Sequence, residues 1–182
     1  MPLLTLAQAK AQLDIDTTAH DGELQDYIDA LTAVIEARVG PIEIRTVTET
    51  VDSRDMRLAL TQTPAVALTS LTPVVTGGLA LDVADLVLDG QTGIVRRRIG
   101  ARFYGGPWTA VYTAGRASTL PTVGLAARLL LQHLWRTQYG GARGRGSADD
   151  YDVTEPIPGF GYAVPNRVLE LLEPFKPPPG MA

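Results

Sequence analysis

Few residues in this 182-residue chain carry side chains suited to catalysis, and their placement argues against a reaction centre. Histidine occurs twice, at His20 in a polar stretch and at His133 inside an apolar one. A lone histidine on an apolar helix reads as a hydrogen-bonded packing residue, because a base needs a nucleophile or a metal beside it. Cysteine is absent, which excludes disulfides and thiolate metal sites. Asp14, Asp16 and Asp21 offer carboxylates to a cation. The central glycine and closing glutamate of a calcium loop are missing, however. Asp149, Asp150 and Asp152 form a second acidic cluster and read as a solvated one. No HExxH, GxSxG or Walker glycine loop is present. The run GARGRG at 141–146 has the wrong spacing for a phosphate loop and follows a helical pattern instead of a strand. The expectation is a non-enzymatic protein with no catalytic residues, no metal site and no cofactor.

Charge is the stronger signal. The chain has a net charge of −4 and an isoelectric point near 5.1, which argues against a dedicated nucleic-acid binder. The balance is uneven. Residues 1–89 hold 14 acidic and 5 basic residues, and residues 90–182 hold 6 acidic and 11 basic ones. Two such halves read either as solvated surfaces of different composition or as surfaces that meet head to tail in neighbouring copies, with complementary potentials setting the docking register. Arg96, Arg97 and Arg98 are the densest basic run, and strand alternation puts Arg96 and Arg98 on one face and Arg97 on the other. In one copy this is a strand end reaching solvent. Repeated around a channel it lines a pore with charge, so these three are candidate channel-facing residues.

The elements that position these groups follow from periodicity. Thr5 and Gln8 have capping-box spacing and open a helix over 5–13, with Leu6, Ala9 and Leu13 on one face. Asp21 is a candidate N-cap for a helix over 22–39, in which Leu24, Tyr27, Ile28, Leu31, Val34, Ile35 and Val39 form a bulky stripe. Roughly opposite lie Asp26, Ala30, Ala33 and Ala37, a small-residue face that another helix can approach closely. From 42 to 113 the period changes to two. IEIRTVTETVDS, MRLAL, AVALTSLTPVV, ADLVL, GIVRRR and WTAVYTAG predict five or six short, mostly antiparallel strands. LVLDGQTGIVRRR predicts a hairpin with a five-residue loop. Pro121 sits in the first turn of a third helix, over 120–139. Val123, Ala127, Leu130, Leu131, Leu134 and Trp135 cover one wide side, and Leu125 and Leu129 the other. Between them Arg128, Gln132 and Arg136 form the polar strip. With Asp26, Ala30, Ala33 and Ala37, the arginines Arg128 and Arg136 are candidate subunit-interface residues.

The fold class expected is α+β: a small helical bundle with an inserted, mostly antiparallel β-layer and an extended C-terminal arm bearing a short helix. Residues 1–139 read as one body. Residues 140–182 read as a hinge (Gly140, Gly141, Gly144, Gly146) and a docking arm. The arm's amphipathic piece, NRVLELLEPF, presents Asn166, Arg167, Val168, Leu169, Leu171, Leu172 and Phe175, and it is too short to make a core alone. A chain cut after Gly141 is therefore expected to keep its body folded. The start, MPLLTLAQAKAQL, lacks the basic-then-apolar pattern of a signal peptide. No apolar run approaches the roughly 18 residues of a membrane span, so no membrane partner is expected.

Several of these stretches together carry a resemblance. LTLAQAKAQLDID, DGELQDYIDALTAVIEARVG, LVLDGQTGIVRRR, GPWTAVYTAG, LAARLLLQHLWRTQYG and GFGYAVPNRVLELLEPF, in this order, resemble the head–tail connector (adaptor, or head-completion) proteins of long-tailed bacteriophages, in their actinobacteriophage-like branch. The opening pattern falls on Ala9, Lys10, Leu13, Ile15, Asp16 and Gly40. The resemblance implies a structural virion protein at the neck, made in the host cytoplasm. Its copies form a homo-oligomeric ring, typically a dodecamer, between portal protein and stopper, extending the channel around packaged DNA. By position, the arm at 166–175 matches the segment that reaches the portal in relatives. The compact members lack so large a β-insert. A stopper or tail-completion protein of the same neck, and an interaction module unrelated to phage, are the alternatives.

Overall fold

The computed structural model describes residues 3–118, 120–139 and 164–177. Helix α1 (Leu6–Leu13) opens on the capping box that its sequence predicts: the Gln8 amide donates to Thr5 Oγ1 at 3.2 Å, and the Thr5 amide donates to Gln8 Oε1 at 3.0 Å. Helix α2 runs over Asp21–Val39. Asp21, expected as its cap, is its first residue instead, and its carboxylate accepts from Lys10 Nζ of α1 at 2.7 Å. The bulky stripe is buried at Leu24, Ile28, Leu31, Ile35 and Val39. Helix α3 (Pro121–Tyr139) is the central one, packing against α1, α2 and the short α4 (Asn166–Leu172). Its Val123, Ala126, Ala127, Leu130 and Leu131 are almost wholly buried, as a helix apolar around most of its circumference requires.

Seven strands separate α2 from α3: β1 (Arg45–Val51), β2 (Ser53–Arg54), β3 (Arg57–Ala59), β4 (Ala65–Pro73), β5 (Leu86–Asp89), β6 (Ile94–Arg97) and β7 (Trp108–Ala114). They form two antiparallel sheets, one ordered β1-β7-β4 and the other β2-β3-β6-β5. The fold is α+β. The hairpin β5–β6 closes through the four residues 90–93, one fewer than its sequence suggests. Asp89 builds that turn. The Thr92 hydroxyl, the Gln91 and Thr92 amides and nearby Arg96 hold its carboxyl below the usual range. Ile42 and Ile44, expected on one face of a strand, part company. The strand begins only at Arg45, Ile42 is buried, and Ile44 is exposed.

The described residues divide into two compact units, one within Met1–Val39 and Thr119–Lys176, the other within Gly40–Ser118 and Pro177–Ala182. The second unit has a core of its own. The inward faces of both sheets supply it, with Leu58, Leu71, Val95, Trp108 and Tyr112 nearly or wholly inaccessible. A layer that buries both of its apolar faces internally needs no other element to complete it. Gly115 illustrates how tightly the unit is closed. It sits at φ +123°, and a Cβ there would collide with the carbonyl group of Glu43.

Central strand β7 alternates buried and half-buried residues along its length, and Tyr112 is its largest inward side chain. The Tyr112 hydroxyl donates to Glu49 Oε1 at 2.9 Å and accepts from the Gln62 amide at 3.0 Å. Glu49 also takes the Thr61 amide and hydroxyl. Burial, with the Glu49 carboxylate adding to it, pushes the phenol up to about 12 from its ordinary 10.0. An unfolded tyrosine therefore ionises before the folded one. The associated stability is complete below pH 10.0 and is lost as pH rises toward about 12. Chemical denaturation of the native chain across this range is expected to show a steep alkaline decline. Tyr112→Phe starts about 1–2 kcal/mol less stable, because Glu49 loses a donor, and declines less steeply. Equal alkaline slopes for the two proteins would contradict this account of Tyr112.

Candidate functional site

The described residues contain no group of three histidine, cysteine, aspartate or glutamate side chains placed to hold a metal ion. Both histidines belong to the helical unit. His20 does more than its polar sequence context suggests: its ring meets Trp135 edge-on with centroids 5.4 Å apart, and its Nδ1 lies 3.5 Å from Glu23 Oε2. Tyr27 also meets Trp135 edge-on, with centroids 6.0 Å apart. These contacts fasten the start of α2 to the end of α3. His133 is half-buried on α3. No helix among the described residues is long and apolar enough to cross a membrane. Asp149, Asp150, Asp152 and the glycines Gly140, Gly141, Gly144 and Gly146 lie outside the described residues.

The candidate interface residues on α2 are all on the surface. Asp26, Ala30, Ala33 and Ala37 are exposed, as is Asp29 beside them, whose carboxylate accepts from Gln25 Nε2 at 2.9 Å. This face is open because the bulky stripe on the other side has satisfied the bundle. Alanine there adds little area and lets a backbone come near. On α3, Leu125 is exposed, Arg128 and Leu129 are half-buried, and Arg136 is exposed. The helical unit thus carries a second apolar-and-small surface after its core is complete.

The sequence leaves open what the arm helix packs on; in the structure it packs on its own helical unit. Val168 and Leu172 are 1% and 2% exposed within the single chain, and α4 packs on α3 and α2. Its apolar face is buried against its own helical unit. Asn166, Leu169, Leu171 and Phe175 are half-buried, and Arg167 is exposed. The physical reason is that a seven-residue helix gains order only by burying its apolar side, and α3 supplies a surface for it.

The arginine run splits three ways. Arg96 is exposed on β6. Arg97 is half-buried, sends Nη1 toward the Arg102 carbonyl at 3.4 Å, and keeps a buried Nε without a partner. Arg98 lies past the strand, where its Nε donates to the Ala84 carbonyl at 3.3 Å. Arg96 and Arg97 stand on opposite faces of β6, as alternation requires, and Arg98 lies beyond the strand. At Arg96 the register reveals something the sequence reading missed. Arg54 pairs with Arg57, and Arg57 with Arg96, across three adjacent strands. The signal was present in SRDMR: a two-residue turn at Asp55-Met56 must set its flanking arginines opposite each other. The arginine face borders a groove of about 490 Å³ with Ala59, Ile94, Thr61 and Thr92 among its lining, together with Pro177.

No protein-family model matches the chain, and no curated protein matches it. Solved structures do. A chain from the neck of an empty GTA particle computed with C6 symmetry aligns over 99% of this chain and 92% of its own length, at 23% identity and TM-score 0.62. A chain from the neck of a native GTA particle computed with C12 symmetry gives the same coverage at 22% identity and TM-score 0.63. A chain from the virion of a native gene transfer agent particle aligns at 21% identity and TM-score 0.58. The likeness is one of fold. Its coverage takes in the inserted β unit, which is therefore part of the shared architecture and not an ornament of this sequence.

Proposed function

We propose that this chain is a structural, non-enzymatic subunit of the neck of a phage-like particle, the head-to-tail adaptor that joins portal to stopper. In this reading its copies close into a ring, most simply of twelve, that extends the DNA channel. The observation that carries the reading is the full-length likeness of fold to chains from GTA necks computed with C6 and C12 symmetry. The open faces of α2 and α3 support it, because a ring component must bury surface against two neighbours. The order of sequence stretches that resemble actinobacteriophage adaptors supports it independently. Arg96 remains a candidate for the channel wall; Arg97 and Arg98, engaged with their own backbone, are weaker ones.

The test is electron microscopy of the purified full chain, alone and mixed with the portal protein of the same particle. Rings that cap the portal are expected. Rings that bind tail-tube ends and ignore the portal would make the chain a stopper. A chain that stays monomeric under both conditions would remove it from the neck.

A further inference from the structure

The second sheet has an outward face that the core does not use. On β3 and β6, Leu58 and Val95 point inward and are buried. Alternation puts Ala59 and its cross-strand partner Ile94 on the other side, where both are half-buried. These two form the apolar floor of the groove of about 490 Å³. Arg54 and Arg57 stand at one end of it, and Thr61 and Thr92 at the other. From Arg57 to Thr61 the strand rise gives a run of about 13 Å.

One wall of the groove comes from far along the sequence. Pro177 lines it and belongs to the second unit. Just before it, Lys176 stands at φ −62° and ψ 130°, the polyproline II conformation. The residues that follow prolong that direction. Lys176, Pro177 and Pro178 each precede a proline, and the ring of the next residue bars the helical region to each of them. A tract so built is stiff, advances about 3.1 Å per residue and loses little freedom on docking. Residues 178–182, Pro-Pro-Gly-Met-Ala, carry no charged side chain. Pro178 and Pro179 bring no amide donor either, so they can lie on an apolar floor without burying an unpaired N–H.

We propose that the groove on the outward face of β3 and β6 is the seat of this chain's own proline tract. Pro178 and Pro179 pack on Ala59 and Ile94, and their carbonyls accept from Arg54 and Arg57 at the rim. A guanidinium has five N–H donors, enough to serve a carbonyl beside a contact already made. From Pro177, residues 178–182 reach about 15 Å in the polyproline II form, which matches the run of the groove. The seated tract covers the apolar pair and keeps other extended peptides out until it lifts. This concerns a single chain and stands apart from the ring reading.

The absence of cysteine opens a direct test. In the full-length chain, Ala59→Cys with Gly180→Cys puts one thiol on the floor and one in the tract. A disulfide needs their Cα atoms within about 7 Å. Leu79→Cys with Gly180→Cys is the control. Leu79 is exposed and precedes β5, whereas Thr92 of the groove follows it, so the two lie at opposite ends of that strand. Both variants are equilibrated in glutathione buffer after thermal melts show that they fold. Mass spectrometry then separates linkage within a chain from linkage between chains. The effective concentration of the first pair is expected to exceed that of the control by at least about tenfold. Pro178→Gly with Pro179→Gly removes the stiffness, and Ile94→Thr removes part of the floor. Each is expected to lower the first pair's value at least about threefold. An excess of free peptide of residues 176–182 is expected to lower it too and to leave the control unchanged. Equal linkage in the two pairs, or a first pair indifferent to all three changes, overturns the proposal. Linkage of the first pair chiefly between chains gives the groove to a neighbouring copy's tract and overturns its assignment to its own.

Discussion

A chain ending at Tyr139 is expected to melt roughly 10–20 °C below the full chain, because α4 is part of the helical core. Val168 and Leu172 are almost fully buried on α3 and α2. Withdrawing a valine or leucine side chain from water contributes about 1.5–3 kcal/mol each. Truncation also uncovers the apolar surface of α3 and α2 beneath the helix, which adds to the loss. Ordering the short helix costs part of that back, leaving a net loss of about 2–4 kcal/mol on truncation. This reverses what the sequence suggested for a chain cut after Gly141. Circular dichroism melts of the two lengths decide the matter. Within the full chain, Leu172→Ala is expected to cost about 3 kcal/mol through the cavity it leaves, whereas exposed Arg167→Ala stays within about 0.5 kcal/mol. Coincident melting curves for the truncated and complete proteins would mean that α4 contributes nothing to the unit that it covers.

The seating of α4 shows where local pattern stops being informative. Apolar periodicity identified the four α-helices of the described residues, and the Thr5–Gln8 capping box appears in the structure with both of its hydrogen bonds. Those signals depend on residues within one turn of each other, so the sequence displays them directly. The amphipathic character of NRVLELLEPF was equally plain. What its apolar face packs against was not, because any exposed apolar surface satisfies it energetically. Strand pairing shows the same limit. Alternation marked the strands of 42–113 but not their division into two sheets, which hydrogen-bond register over long separations decides, as in Thr50 with Thr109. Arg54 and Arg57 were hidden for this reason. Each looked like an ordinary exposed cation until β3 was set against β6. Arg97 failed in the opposite sense. The alternation placed it correctly away from Arg96, yet its partner is the Arg102 carbonyl on the far side of a turn.

Ala33→Trp is expected to abolish ring formation while leaving the melting of the single chain nearly unchanged. Ala33 is exposed on α2, opposite the buried stripe. In one copy the indole simply enters solvent, at a helix-propensity cost below about 0.7 kcal/mol. Between copies the situation differs, since alanine at this place allows a close approach that an indole fills. Overpacking a fitted contact costs about 1–3 kcal/mol, which weakens each interface by about 5–150-fold. A closed ring repeats that penalty at every interface, so a loss that a single pair would tolerate becomes prohibitive for the whole. Ala126→Trp is the informative contrast. Ala126 is fully buried on α3, so the same side chain there is expected to unfold the monomer before assembly is in question. Size-exclusion profiles and micrographs of the two variants, beside their melts, separate surface from core. Normal yields of rings from Ala33→Trp would show that the small-residue face of α2 looks only at water.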